Sequence, residues 1–304
     1  MVACFATLPY TVGTVAVEGV QDRRYEAGNL DLNLLPPSLE FNETQHNRVE
    51  TAREGGGFVP TLLLGTDKLG RGVMGRLFLG GAVSLGIGLA AALIAVTIGT
   101  LYGAISGYLG GRTDAILMRM VDILYGLPYI LLVVLFSLAA DGVIARGGLD
   151  PSASSRQLVN VLTLLVAIGG VGWLTIARVV RGQVLSLREQ QFMESCRAMG
   201  VSPKRQFLVH LVPNLIGPIV VYGTLAVPAA ILSESFLSFL GIGVEEPLPS
   251  WGNLASQGLS ELNTVKSRWW LLVWPCVLIA ITLISLNLLG DALKARFDPV
   301  HRST

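Results

Sequence analysis

The chain has 304 residues, of which 52% are hydrophobic and only 14% are charged, and its mean hydropathy is +0.60. Soluble domains carry about 25% charged residues, so the composition excludes an ordinary soluble domain and indicates a membrane protein. The net charge of +1 gives no electrostatic reason to expect a nucleic-acid partner. Cys4, Cys196 and Cys276 fit neither a disulfide framework nor a metal-ligand spacing, and we predict no metal site.

The start of the chain is apolar but short. Residues 1–17 carry no charge, contain Pro9 and have no basic residue ahead of them. A helix of this length reaches only about 25 Å at a rise of ~1.5 Å per residue, which is less than the ~30 Å of bilayer hydrocarbon. We therefore predict a partial or incomplete first membrane helix. Residues 18–76 are polar and contain Pro36-Pro37 and a run of three glycines at 55–57, which predicts an extracytoplasmic segment with little regular structure.

Five later stretches hold almost no charge, and each is close to or above the ~18–20 residues that a helix needs to cross a bilayer. They are residues 77–111, 123–140, 157–177, 215–233 and 269–290. A span in lipid must satisfy its own backbone hydrogen bonds, which favours the α-helix. We predict an all-α polytopic membrane protein with a transmembrane domain over residues 77–304. It has five membrane helices, or six if the first one is completed.

Glycine and proline predict the local geometry of these helices. Gly99, Gly103 and Gly107 repeat at a spacing of four, so a second helix can approach closely, either within the chain or across a dimer. The pair at 110–111 predicts a tight inner turn, and Pro128 predicts a bend over residues 126–128.

The placement of lysine and arginine predicts the orientation, because basic residues concentrate in short cytoplasmic loops. Few basic residues fall in the short outer loops if the charged segment near residue 200 lies inside. The third long helix then ends inside near Arg178 and Arg181, whose side chains can reach the interface. This orientation puts the C-terminus inside and residues 18–76 outside. The basic residues on the inner side are Arg112, Arg119, Arg178, Arg181, Arg188, Arg197, Lys204, Arg205, Lys294, Arg296 and Arg302.

The segment over residues 186–213 is charged and rich in helix-forming residues. Phe192, Cys196 and Met199 fall on one apolar stripe, and Glu194 is spaced to pair with Arg197. The segment is either an ordinary loop at the lipid headgroups or a cytoplasmic surface that another protein grips.

Cap residues divide that segment into two helices. Gly200 predicts a helix end in the left-handed region, and Ser202-Pro203 predicts the start of a second helix. This second helix should extend to about Val212, and Pro213 should mark the entry to the next span.

The same segment resembles the EAA loop of ABC importer permeases. Glu194-Ser195-Cys196, then Gly200 after three intervening residues, then an apolar run that ends at Pro213 match its spacing, with Ser-Cys in place of Ala-Ala. Other segments resemble the C-type permease subunit of dipeptide, oligopeptide and nickel importers. They are LGTDKLGR (64–71), MRMVDILYGLP (118–128), ILSESFLSFLGIG (231–243), PSWGN (249–253) and GDALKARFDP (290–299).

The resemblance implies a type I importer permease fold and a non-catalytic subunit of the bacterial or archaeal inner membrane. It also implies that the loop at 186–213 transmits the action of ATPase subunits to the membrane helices. The residues that it assigns to this coupling are Glu194, Ser195, Cys196, Arg197, Ala198, Gly200 and Pro213.

The partners that the resemblance implies are a second homologous permease, two cytoplasmic ATPases, an extracytoplasmic substrate-binding protein and membrane lipid. No cofactor is expected on this chain itself, and the sequence contains no G-x-x-x-x-G-K-[ST] loop for ATP. The substrate is a di- or oligopeptide, or alternatively nickel or another small solute. A membrane-embedded enzyme and an ion-coupled transporter acting alone are alternatives from other classes.

Three polar residues lie in or near the apolar runs, namely Asp122, Glu234 and Asn287. A charged group at the bilayer centre costs roughly 2.5–3.5 kcal/mol on insertion scales, so such a group usually faces protein or water. Glu234 and Asn287 therefore either line the translocation path or are satisfied by a neighbouring helix.

Overall fold

The computed structural model describes residues 1–17, 20–146, 153–262 and 266–297. Nearly all of its regular structure is helical. The elements are α1 (Val2–Ala6), α2 (Leu8–Val12), β1 (Thr14–Val17), β2 (Val20–Arg23), α3 (Glu43–Glu54), α4 (Val73–Leu109), α5 (Gly111–Tyr125), α6 (Tyr129–Arg146), α7 (Ala153–Arg188), α8 (Gln191–Ala198), α9 (Pro203–Arg205), α10 (Val212–Phe239), α11 (Trp251–Ser260) and α12 (Trp269–Phe297). A π-helical turn, Gln206–Leu211, joins α9 to α10.

The chain divides into two compact units. The first contains Met1–Gly86, Ala153–Val161 and Leu232–Thr282, and the second contains Ile87–Ser152, Leu162–Ile231 and Leu283–Thr304. The division falls inside α4, α7, α10 and α12, so each of these long helices contributes residues to both units.

Four helical stretches of the described chain are long and apolar enough to cross a membrane. They are Val73–Leu109, Gln157–Arg188, Pro203–Phe239 and Trp269–Arg296. A fifth candidate is the pair Gly111–Tyr125 and Tyr129–Phe136, which meet at 90°. The five predicted spans therefore match if this bent pair counts as one span.

The turn and the bend occur where glycine and proline predict them. Gly110 and Gly111 have φ angles of +67° and +55°, which glycine adopts without the steric penalty of a Cβ atom. The bend at 126–128 is a 90° break rather than a kink in one helix. The predicted span over residues 123–140 is therefore divided at this break, and α6 begins at Tyr129.

The sequence predicted that the third long helix, α7, ends near Arg178 and Arg181. In the structure α7 continues to Arg188. Both arginines bond to carboxylates of α5. Arg178 Nη2 lies 2.8 Å from Asp122 Oδ1, and Arg181 donates to both carboxylate oxygens of Asp114 at 2.5 Å. Each guanidinium group therefore has a carboxylate partner, and α7 can continue past both arginines.

The repeated glycines of α4 pack within the chain, as the intrachain alternative predicted. A Cβ atom at Gly99 would lie 2.6 Å from Ile176 Cβ, and one at Gly103 would lie 2.3 Å from the carbonyl oxygen of Ala177. Only glycine permits this approach of α4 to α7.

The first 17 residues do not form one partial membrane helix in the structure. Two five-residue helices, α1 and α2, are followed by β1, whose Thr14 pairs with Arg23 of β2. Thr14, Val15 and Val17 are β-branched residues that favour a strand, and this preference explains the difference.

The segment 18–76 also contains more regular structure than predicted. Helix α3 begins with a capping box between Asn42 and Gln45, a signal that the sequence contains. A buried apolar cluster contains Leu32, Leu35, Val49 and Ala52. The segment therefore has a small core of its own.

Candidate functional site

The loop between α7 and α10 is built around a glycine-controlled helix end. After α8 ends, the Val201 amide donates to the carbonyl of Cys196 and the Gly200 amide donates to that of Arg197, both at 3.0 Å. With Gly200 at φ +71°, these two bonds form a Schellman motif, which satisfies the last carbonyls of the helix. The predicted helix end at Gly200 is confirmed.

One face of α8 is fixed to the helix bundle of the second unit. Met193 is fully buried and Cys196 is 5% exposed. Both residues lie on the same face of α8, and Met193 belongs to a core cluster with Val180, Val184 and Leu211. The predicted apolar stripe was wrong at Met199, which is 72% exposed, because α8 ends at Ala198 and the buried pair is spaced i, i+3.

The opposite face of α8 is open. The predicted coupling residues Glu194, Ser195, Arg197, Ala198 and Gly200 are all exposed, whereas Cys196 is the one of that set on the buried side. The loop therefore presents a continuous surface of side chains on a helix whose back is anchored.

Charged and polar bonds hold the loop against its own helices. The predicted pair between Glu194 and Arg197 is not formed. Arg197 instead donates to the carbonyl of Arg188 at 2.9 Å. Arg188 in turn donates to the carbonyl of Gly107 at 2.8 Å. Tyr108 donates to the carbonyl of Pro203 at 2.7 Å. The start of the second loop helix is thus tied to the end of α4.

The second loop helix differs from the prediction at its far end. Pro203 begins it after Ser202, as expected, although the Ser202 side chain makes no cap bond. The helix then runs without a break through a π-helical turn into α10, which begins at Val212. That Pro213 marks the entry to the membrane span stays a prediction. Proline removes one backbone donor and crowds the preceding turn. The wider π-helical turn over Gln206–Leu211 precedes Pro213 and accommodates its ring.

Two polar residues predicted for the translocation path lie in different surroundings. Glu234 is fully buried and accepts hydrogen bonds from Ser238 Oγ at 2.8 Å and Ser235 Oγ at 3.3 Å. The hydroxyls of Ser84 and Ser250 also bond to it. Neighbouring side chains therefore satisfy the buried Glu234, which fits the second alternative. Its place on the translocation path stays a prediction. Asn287 is exposed on α12.

A buried charge cluster in the first unit was missed by sequence reasoning. The buried Asp67 accepts from Arg71 Nε at 2.7 Å and from Arg76 Nη1 at 3.0 Å. Both arginines also approach Glu246 Oε1, at 3.3 and 3.4 Å. Asp67 and Arg71 belong to the quoted string LGTDKLGR, but Glu246 is about 170 positions away along the chain, and no spacing rule joins them.

The segment PSWGN also has a structural role. Trp251 is buried, and its indole nitrogen donates to the carbonyl of Leu77 at 3.0 Å. Its amide donates to Ser84 Oγ at 3.1 Å. Ser250 and Asn253 form a capping box at the start of α11. These bonds fix the start of α11 to α4.

In the part of the chain that the structure describes, no group of three or more histidine, cysteine, aspartate or glutamate side chains could hold a metal ion. Cys4, Cys196 and Cys276 are free thiols. The arrangement offers an anchored loop with an exposed face.

Comparison with known proteins agrees with this picture. Residues 99–302 match the family described as "Binding-protein-dependent transport system inner membrane component". The oligopeptide transport system permease protein OppC of Haemophilus influenzae is 42% identical over 242 residues, which cover 78% of this chain and 70% of that protein. The dipeptide transport system permease protein DppC of Bacillus subtilis is 42% identical over 238 residues, which cover 78% and 68%.

A solved structure shares the fold. The inward-facing MetNI methionine ABC transporter matches with a TM-score of 0.57 at 17% identity, over 74% of this chain and 97% of that one. The fold is therefore that of type I ABC importer permeases, as predicted. The family match covers more than half of the chain, and the permease relatives extend over most of it. The chain belongs to the family of binding-protein-dependent transport system inner membrane components.

Proposed function

We propose that this chain is the membrane subunit through which an ATP-driven ABC importer moves di- or oligopeptides across the inner membrane. The relatives at 42% identity are named as oligopeptide and dipeptide permeases, and this supports peptides as the substrate class. The chain acts as a non-catalytic subunit, with ATP hydrolysed by two separate cytoplasmic subunits.

The exposed face of α8 is the observation that carries the coupling role. A surface that transmits force must be stiff on its own side of the contact. Met193 and Cys196 anchor α8 in the core, and the Schellman motif at Gly200 ends it sharply. Glu194, Arg197 and Ala198 remain free to contact an ATPase subunit. Movement of that subunit then displaces α8 together with the helices on which it packs.

A second permease and a binding protein complete the proposed assembly. Apolar side chains remain exposed along α12, including Ile281, Ile284 and Leu288. Lipid and a related but different permease chain, in a heterodimer, are the proposed partners of such surfaces. An extracytoplasmic binding protein delivers the peptide.

The proposed orientation puts the loop at 186–213 and the C-terminus in the cytoplasm. Lysine and arginine residues concentrate at the loop end of the second unit, at Arg188, Arg197 and Lys204, and again at Lys294 and Arg296 of α12. Cytoplasmic loops carry such an excess. Residues 18–76 belong to the first unit and lie outside in this orientation.

Reconstitution tests the proposal. The chain is purified with the subunits encoded beside it, incorporated into proteoliposomes and supplied with binding protein loaded with radiolabelled di-, tri- or pentapeptide. We expect ATP-dependent uptake that disappears in the Glu194→Lys variant, with Glu50→Gln, an exposed site on α3, as the control. Uptake of a metal ion or of another solute, and of no peptide, would contradict the proposed substrate class.

A further inference from the structure

A cavity of about 370 Å³, lined by both polar and apolar side chains, lies in the first unit. This volume falls in the range of roughly 300–1,000 Å³ found for small-molecule sites. Its walls come from three separate parts of the chain, namely the end of β2 and the turn after it, the first turns of α7, and the loop between α10 and α11. The lining residues are Arg23, Glu26, Gln157, Asn160, Val161, Val244, Glu245, Glu246, Pro247 and Leu248.

Two adjacent carboxylates of this cavity have unused acceptor capacity. Glu246 Oε1 accepts from Gln257 Nε2 at 2.7 Å and approaches Arg71 and Arg76. These bonds orient the Glu246 side chain but leave its Oε2 atom without a partner among the described residues. Glu245 is exposed, and no described residue bonds to its carboxylate. The loop therefore offers several carboxylate lone pairs to a cationic donor.

Arg23, the one arginine among the described lining residues, already has partners. Arg23 Nη1 lies 3.2 Å from the hydroxyl oxygen of Tyr25, and Glu26 interacts with both Arg23 and Tyr25. Burial raises the pKa of the Tyr25 phenol, so this hydroxyl stays neutral. Glu26 offsets the charge of Arg23, and Asp67 and Glu246 offset those of Arg71 and Arg76. The Glu245 carboxylate therefore leaves a negative charge to attract a ligand.

Two amides complete the polar lining. Gln157 and Asn160 lie three residues apart in α7, which puts them on the same face of the helix. Neither has a partner among the residues that the structure describes. A primary amide both donates and accepts hydrogen bonds, so this pair can bond to the N–H and C=O groups of a peptide bond.

We infer that this cavity binds the amino-terminal end of the transported peptide, with its α-ammonium group at Glu245 and Glu246 and its first peptide group at Gln157 and Asn160. The inference rests on the proposed function, since it names where that substrate touches this chain. An ammonium group has three donors and no acceptor, which suits paired carboxylates. Val161, Val244 and Leu248 supply apolar wall for the first side chain of the peptide.

A lysine side chain of a docked binding protein is the competing occupant. The peptide is favoured because the amides line the same cavity as the carboxylates. A lysine ammonium on an apolar stem would bond to the carboxylates but would have no group for the two amides.

The experiment uses the whole importer in proteoliposomes, with Glu245→Gln and Asn160→Ala as the cavity variants. Glu50→Gln, an exposed glutamate of α3 outside the cavity, is the matched control. Two rates are measured at increasing concentrations of peptide-loaded binding protein, namely peptide uptake and ATP hydrolysis. We expect the Glu245 variant to lose about tenfold in uptake at saturation, since a hydrogen bond to a charged group commonly contributes a factor of this size. The concentration of binding protein that half-saturates ATP hydrolysis should not change.

A photoreactive peptide provides a second readout. A dipeptide with a diazirine in its first side chain is delivered by the binding protein and irradiated during turnover. We expect labelled fragments of this chain that contain residues 157–161 or 244–248, and less label in Glu245→Gln. Label confined to other fragments would overturn the inference.

The outcomes separate this inference from the proposed function. Normal uptake in both cavity variants would overturn the cavity site alone. A raised half-saturating concentration of binding protein would show that the cavity receives a residue of that protein, and would also overturn the site. Absence of peptide uptake by the unmodified importer would overturn the proposed function together with this inference.

Discussion

Replacement of Met193 by alanine tests whether α8 must be anchored in order to couple. Met193 is fully buried in the core cluster of the second unit. Burial of a methionine side chain contributes about 1.5–3 kcal/mol, and the cavity left behind raises the cost of Met→Ala to about 2–5 kcal/mol. At 1.4 kcal/mol per factor of ten, this cost increases the population of the detached loop by about 30-fold to several thousand-fold.

Hydrogen exchange and transport measure the two consequences of Met193→Ala. We expect faster amide exchange across α8, because local opening sets the exchange rate, together with a loss of peptide uptake per ATP hydrolysed. Met199→Ala is the packing control, since Met199 is 72% exposed and surface changes usually stay within about 0.5 kcal/mol. Unchanged exchange in Met193→Ala would refute the packing argument. Fast exchange with fully coupled uptake would refute the need for an anchored α8.

Three further substitutions test other parts of the structure. Gly200→Ala should impair uptake at normal membrane abundance, because a left-handed backbone costs other residues about 1–2 kcal/mol; Gly182→Ala, whose added methyl group meets no neighbour, should not. Asp67→Asn should lower the melting temperature of the purified importer, since breaking a buried ion pair costs about 3–5 kcal/mol, whereas Asp31→Asn at an exposed site should leave it unchanged. Glu234→Ala should destabilise the importer more than Glu234→Gln, because glutamine keeps an acceptor for the serine hydroxyls, and equal melting temperatures would contradict this.

Local signals in the sequence predicted much of the fold. The apolar runs predicted the long helices, and Gly110-Gly111, Pro128 and Gly200 predicted the turn, the break and the helix end where the structure has them. Each of these features depends on residues within a few positions of one another. Propensity and cap chemistry act over that range, so a single sequence carries the information.

The predictions failed where contacts outside the local sequence pattern determine the structure. Arg197 bonds to the carbonyl of Arg188 rather than to Glu194, because the chain turns after α7 and brings this carbonyl within 2.9 Å of the guanidinium group. Met199 is exposed because the helix stops one residue earlier. The buried ion cluster joins Asp67 to Glu246 across most of the chain, and helical periodicity contains no information about such a pair. The family resemblance covered Asp67 within residues 64–71, but Glu246 lies between the quoted segments 231–243 and 249–253.

The central claim is that the exposed face of α8 lies in the cytoplasm and contacts an ATPase subunit. A single cysteine at position 197, in a variant without Cys4, Cys196 and Cys276, tests it most directly. We predict that a membrane-impermeant maleimide labels this cysteine in inverted vesicles stripped of the ATPase subunits, and that adding these subunits back protects it. Labelling from the outside of spheroplasts, or equal labelling with and without the ATPase subunits, would contradict the account.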